Sequence, residues 1–330
     1  MPDSPHPPPD GLYDDAYAAF DRGALEEARR LFLELVDREP GIAVYHYMLG
    51  LVHKYQRHWQ PCIDHNLRAI ALADPDAELQ AYRWNIAIAA SALGHWALAR
   101  EQWIAAGIEL APGDAPLDDD RGVVSVRLNP WSDGETLYAN RIGLARARLR
   151  NVPLPESGYR HGDLVLVDGA KTGERRYGDT TVPVFNALQR LVPSEFITYA
   201  VRVDCASEAD RDALEESTSE AIGCIEDWTR SMSFLCVACS YGQPHAHVEQ
   251  ATNDQGWTRE RHFGIAARSP EAVEALLDAW EKQGREGAFL ARLARRRPRR
   301  AVLDFIETSF AEVGPAEPGA WWQGPEETEA

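Results

Sequence analysis

Residues 23–40, GALEEARRLFLELVDREP, decide how the first third of the chain is read. Gly23 turns the backbone, and five residues on Ala28 is small enough to let a second helix approach closely. Phe32 and Leu35 continue the same helical face, and Pro40, which has no amide hydrogen to donate, ends it. The spacing recurs twice. Arg57, Cys62, Asn66, Ala69 and Pro75 form a second set, and Gly94, Ala99, Trp103, Ala106 and Pro112 a third, each with one more residue before the proline. Upstream of each turn a first helix shows at its crossing point as Leu12 with Ala16, Leu49 with Gly50, and Ile86 with Ala87. The expected unit is a helical hairpin of about 34 residues, used three times.

The pattern resembles the tetratricopeptide repeat (TPR) family over residues 9–112. It departs where Cys62 replaces an alanine, Asn66 replaces an aromatic residue and Arg57 replaces a turn glycine. The resemblance implies that the inner face of the first helices lines a concave groove that accepts peptides or helices. On this chain that face is Tyr13, Tyr17 and Phe20, then Tyr47, Leu51 and Lys54 with neighbouring Tyr55, then Trp84 and Ile88. It is aromatic and nearly uncharged, without the basic and asparagine side chains with which chaperone-binding relatives clamp a C-terminal carboxylate. Tyrosine and tryptophan anchor interfaces because they bury much area at little entropic cost. Two occupants suit the groove: a protein partner, or the chain's own downstream domain or N-terminal segment.

Composition sets the outer bounds. The chain has 330 residues, 45% hydrophobic and 26% charged, as expected of a globular protein with two or three domains. No stretch approaches the roughly 20 apolar residues that span a bilayer. The opening MPDSPHPPPDG is neither basic nor apolar, so a cytoplasmic location is expected. A net charge of -18 favours basic protein partners and disfavours nucleic acid and anionic lipid. The arginine run Arg292, Arg295, Arg296, Arg297, Arg299 and Arg300 reads as a solvated face or as a grip for a phosphate or an acidic partner.

After Pro112 the helical period gives way to alternation. The expected fold class is α+β multidomain: a disordered start over 1–8, TPR-like hairpins over 9–113, an acidic linker over 114–121, a small antiparallel β unit over 122–194, a ferredoxin-like α+β domain over 195–290, and a basic segment with a mobile acidic tail over 291–330. The missing capping helix implies that the later domain covers Trp103, Ile104 and Ile108. Asp168 to Thr172 lacks the glycine-lysine pair of a phosphate loop and reads as a hairpin turn. Ser207 with Asp210, and Ser269 with Pro270, read as helix starts.

One constellation suggests chemistry. In LCVACSYGQPHAHVEQ, Cys236 and Cys239 are followed by His245 and His247, four ligands that suit a structural, tetrahedral zinc. A buried cysteine pair and a thiol oxidoreductase are the alternatives. Five cysteines form an odd set, better suited to thiols or metal ligands than to a disulfide framework. No nucleophile elbow or dinucleotide motif occurs, and Glu226, Asp227, His46, His53, His58 and His65 read as surface or packing residues. The expected function is a non-enzymatic adaptor or sequestering protein with a basic or peptide-like protein partner, in a sharper form an immunity-type neutraliser. A metal- or thiol-dependent enzyme at the Cys/His cluster is the rival.

Overall fold

The computed structural model describes residues 11–130, 134–231, 257–290 and 300–304; residues 285–290 and 300–304 are described as backbone only. Six helices come first: α1 (Leu12–Asp21), α2 (Leu25–Arg38), α3 (Ala43–Tyr55), α4 (Trp59–Leu72), α5 (Gln80–Ala92) and α6 (Trp96–Ala105). Each packs on its neighbours in sequence, as a helical-repeat region requires. The three turn positions share the left-handed conformation, with φ of 79° at Gly23, 59° at Arg57 and 72° at Gly94. Only glycine adopts it without cost, so Arg57 carries strain of about 1–3 kcal/mol. The residues expected at the crossings are buried, Ala16 with Ala28, Gly50 with Cys62 and Ala87 with Ala99. The turn positions lie 34 and then 37 residues apart, because the α4–α5 connection is longer than the α2–α3 one.

A five-stranded barrel follows: β1 (Asp120–Leu128), β2 (Glu135–Ile142), β3 (Arg146–Leu149), β4 (Leu164–Tyr177) and β5 (Thr180–Val192). The strands run up and down in order, and β1 pairs with β5 in parallel to close the ring. The unit is therefore a mixed sheet rather than an antiparallel one. An odd number of alternating strands leaves the first and last running the same way, so closure has to be parallel. Val124, Val126, Val165, Val167, Phe185 and Ala187 belong to one buried cluster of the barrel.

The expected hairpin turn at Asp168–Thr172 is corrected: these residues lie inside β4. Val167 faces Ala187 and Lys171 faces Phe185, so four steps on β4 match two on β5. The strand absorbs the excess as a bulge, and the true hairpin turn comes at Gly178, with φ 56°.

The remaining strands, β6 (Ile197–Asp204), β7 (Ile222–Asp227), β8 (Glu260–Ala267) and β9 (Arg300–Asp304), form an antiparallel sheet in the order β7-β8-β6-β9. Helix α7 (Glu208–Glu215) joins β6 to β7, a short α8 (Trp228–Ser231) follows β7, and α9 (Pro270–Leu290) joins β8 to β9. Ser207 caps α7 by accepting the Asp210 amide, and Ser269 accepts the Ala272 amide at the start of α9. Strand β9 lies in the stretch read from sequence as basic segment and tail.

The three parts are packed together. A single apolar cluster joins Trp59, Ile63, Ile86, Ala89 and Trp103 of the helices to Leu117, Leu144, Leu166 and Leu188 of the linker and barrel. Trp103 and Ile108 are covered as expected, but Ile104 remains 37% exposed. Arg100 Nε and Nη1 donate to the Ala115 and Ala111 carbonyls and hold the linker along α6. At the other junction Glu226 of β7 accepts the Asn151 amide and the Val152 N–H, while Trp228 Nε1 donates to the Val152 carbonyl.

The helix crossing gives a sharp test. A Cβ at Gly50 would lie 2.1 Å from Asn66 Nδ2, which is held by the Cys62 carbonyl at 2.8 Å. In an open helix Gly→Ala stabilises by about 1 kcal/mol. Here Gly50→Ala should instead destabilise by about 1–3 kcal/mol through overpacking, read by urea unfolding; a variant as stable as the parent would place the crossing elsewhere.

Candidate functional site

The inner face of α1, α3 and α5 falls into two halves. In the half formed by the end of α3 and by α5, the β4 bulge lies against the helices. A Cβ at Gly169 would sit 3.1 Å from Trp84 Cε3 and 3.5 Å from Ile88 Cδ1, so a bare glycine backbone is what lets the strand approach. Beside it Lys54 Nζ donates to Asp168 Oδ1 at 3.0 Å and to Asn85 Oδ1 at 3.1 Å. The Tyr55 hydroxyl donates to Asp168 Oδ2 at 3.1 Å, and the Gly169 N–H donates to Asp168 Oδ1 at 2.7 Å.

The Lys54 and Asp168 side chains are only 4% and 5% exposed. Burial by itself would lower the lysine pKa. The adjoining carboxylate outweighs it, so the ammonium is held charged well above its ordinary range. Asn85 Nδ2 reaches Asn66 Oδ1 at 3.5 Å, and Asn66 closes the chain on the Cys62 carbonyl, so hydrogen bonds run from the barrel into the middle hairpin. Trp59 Nε1 adds a bond to Gln189 Oε1 at 2.8 Å. Burial raises the Tyr159 phenol pKa, and the charge of Arg57 at the strained turn opposes that rise. Lys54, Tyr55, Trp84 and Ile88 are thus brought together, but against the chain's own barrel.

The other half carries Tyr13 and Tyr17 of α1 and Tyr47 of α3, all half-buried. The Tyr13 and Tyr17 rings lie 4.6 Å apart, Tyr13 and Tyr45 6.1 Å, and Tyr47 and Tyr82 4.5 Å. Burial, then its hydrogen bond with Tyr13, raises the Tyr17 pKa far above the ordinary phenol value, and burial raises those of Tyr47 and Tyr82. The phenols therefore stay neutral and act as hydrogen-bonding rings. Phe20 lies 6.1 Å from Tyr55, and half-buried Leu51 packs with it in the first-hairpin core.

The sequence reading omitted Tyr45, Tyr82, Asn85, Asp168 and Gly169. Tyr82 and Asn85 flank Trp84 on the helix already read. Asp168 and Gly169 were visible only as a loop, and no local signal reports which domain a bulge will meet.

The four histidines of the second hairpin form a stack between α3 and α4. His46 and His65 Nδ1 atoms are 3.3 Å apart, His53 and His58 Nδ1 atoms 3.4 Å, and the His53 and His65 rings stack at 5.4 Å. His46 Nε2 lies 3.2 Å from the Pro40 carbonyl, which only accepts, so His46 donates there and accepts at Nδ1 from His65. Burial, followed by His65 and His58, pushes the His53 pKa down to about 4. Among the described residues no group of three or more His, Cys, Asp or Glu is arranged to hold a metal ion. The expected zinc ligands Cys236, Cys239, His245 and His247 lie outside the described residues. So do the arginines of the basic run, apart from Arg300 in β9. Burial pushes the thiols of Cys62 and Cys224 up to about 12, which keeps both protonated and weakly nucleophilic near neutral pH.

Two outcomes follow. Lys54→Met strands a buried carboxylate and should cost about 3–5 kcal/mol in denaturant unfolding, while Lys54→Met with Asp168→Leu should recover most of the loss; equal losses in the two would mean the pair is not coupled. For His53 the unfolded chain binds the proton more readily, so stability is present above about pH 6.5 and is lost as pH falls toward about 4. His53→Phe should flatten that part of a stability-pH curve, and an unchanged slope would remove the stack from the account.

Comparison with known protein families and with curated proteins gives no match for this chain.

Proposed function

We propose that the chain is a protein-binding adaptor of the TPR type, whose partner docks on the tyrosine half of the inner helical face. The observation that carries this reading is the division of that face: the Lys54–Trp84 end is filled by β4, while Tyr13 with Tyr17, and Tyr47 with Tyr82, form two ring pairs that stay partly exposed. Repeat length, left-handed turns and small residues at the crossings support the family assignment. Rings with neutral hydroxyls bury area at little entropic cost and still satisfy a partner's polar backbone. The net charge of -18 favours a basic partner, whose association should slow as salt is added.

In the same proposal the C-terminal unit is ferredoxin-like. Its β-α-β-β-α-β order and β7-β8-β6-β9 arrangement are those of a split β-α-β sandwich. It buttresses the barrel, which in turn fixes the groove.

A photocrosslinking phenylalanine analogue at Tyr82, in the full chain expressed in its native host, should trap one defined protein. Adding Tyr17→Ala and Tyr47→Ala should abolish the adduct, and the same analogue at exposed Leu67 of α4 should trap nothing comparable. Identical adducts from both positions would remove the groove as the docking face.

A further inference from the structure

The charge of the molecule is unevenly placed. Residues 120–192 contain eleven Lys and Arg against eight Asp and Glu, a balance of +3, which leaves -21 on the remainder of the chain. Part of that excess is gathered on one side of the barrel. Arg148, Arg150 and Arg176 are exposed, and Arg175, Tyr138 and Tyr177 are half-buried beside them.

The contacts fix these groups as one surface. The Tyr138 and Tyr177 rings meet edge to face at 5.0 Å, the Arg150 guanidinium lies 5.9 Å from the Tyr177 ring centre and that of Arg175 5.2 Å from Tyr138. The Tyr138 hydroxyl donates to the Arg176 carbonyl, and Arg175 donates to the Thr136 carbonyl, which ties the β4–β5 hairpin over β2. Arg148 sits opposite Asn140 in the β2–β3 register, and Arg150 Nη1 reaches Asn140 Oδ1 at 3.4 Å.

None of these four arginines is ion-paired with a described carboxylate, whereas Arg146, on the same strand as Arg148, is paired with Asp118 at 2.7 Å. Nearby Glu226 is engaged by Asn151 and the Val152 N–H, and Glu174 by Lys171. Asp179 stands at the turn of the same hairpin.

From this arrangement we infer that the β2–β3–β4 face of the barrel is a second docking surface, and that its ligand is a short acidic peptide segment of a partner protein. Guanidinium forks pair with carboxylates in two parallel hydrogen bonds, and rings beneath them hold their planes in place. Three strands span about 15 Å, enough for roughly five extended residues. Nucleic acid fits less well. A longer polyanion would extend beyond the patch toward the rest of a chain whose other residues sum to -21. The inference stands apart from the groove proposal: it uses other residues and ligands of opposite charge.

Fluorescence anisotropy of the full chain with a labelled hexaglutamate peptide tests it, at about 0.05 M and about 0.3 M salt. Saturable binding that weakens with salt is expected. Arg150→Glu with Arg176→Glu should lower affinity by at least about tenfold, while Tyr47→Ala leaves it unchanged. If the double reversal impairs folding, Arg176→Ala serves in its place, because Arg176 is exposed and its Nε bonds only a main-chain carbonyl. Absence of saturable binding, equal affinity in the arginine variants, or tighter binding of a thymidine hexanucleotide would each overturn the inference.

Discussion

The Lys54–Asp168 ion pair is the constraint on which the arrangement of the chain rests. Two opposite charges removed from water are tolerable only when each is matched, and here the matching groups come from different domains. The pair therefore acts as a register mark. Any displacement of the barrel along the helices would separate Asp168 from Lys54 and Tyr55 while both charges were still shielded from solvent. The apolar cluster around Trp59, Ile86, Leu166 and Leu188 supplies area and affinity, but area alone is non-directional and would permit sliding.

The departures of the second repeat from the regular pattern acquire a common reason. Arg57 stands at the turn, where its charge acts on Tyr159 of the barrel unit. Asn66, in place of an aromatic, fits over Gly50 and joins the polar chain that ends on Lys54 and Asp168. Cys62, slightly larger than alanine, contacts the Asn85 carbonyl at 3.9 Å. The first hairpin, which keeps the regular residues, buries Phe32 in its own apolar core, whereas Trp103 of the third belongs to the cluster shared with the barrel. The departures of the middle hairpin from the regular pattern thus coincide with its polar contacts to the barrel.

The helical part was legible because its determinants are local. Turn glycines, small residues and prolines act within a few positions of themselves, and three copies reinforce one another. The barrel was harder to read. Its alternation was visible, but the parallel closure of β1 on β5 joins residues about 60 apart, and the bulge at Asp168–Gly169 resembles a turn until its partner strand is known. β9 escaped because its charged flank, RRRPRR, hides a five-residue strand. Of the candidate site, Tyr13, Tyr17 and Tyr47 followed from helical spacing, while Tyr45 and Tyr82 did not. The division of the face into a filled half and an open half did not, since it depends on which domain meets which.

Charge is segregated along with shape. The helices present partly exposed tyrosine rings in an acidic molecule, and one side of the barrel presents exposed arginines, so the two surfaces proposed as docking faces differ in chemistry. The most direct test of the packing of barrel against helices is a nuclear Overhauser spectrum of the deuterated full chain with protonated glycine, isoleucine methyl and tryptophan ring sites. The account predicts cross-peaks from the Gly169 α protons to the Trp84 ring and the Ile88 δ-methyl. Their absence, with Trp84 free to report ligand binding instead, would contradict it.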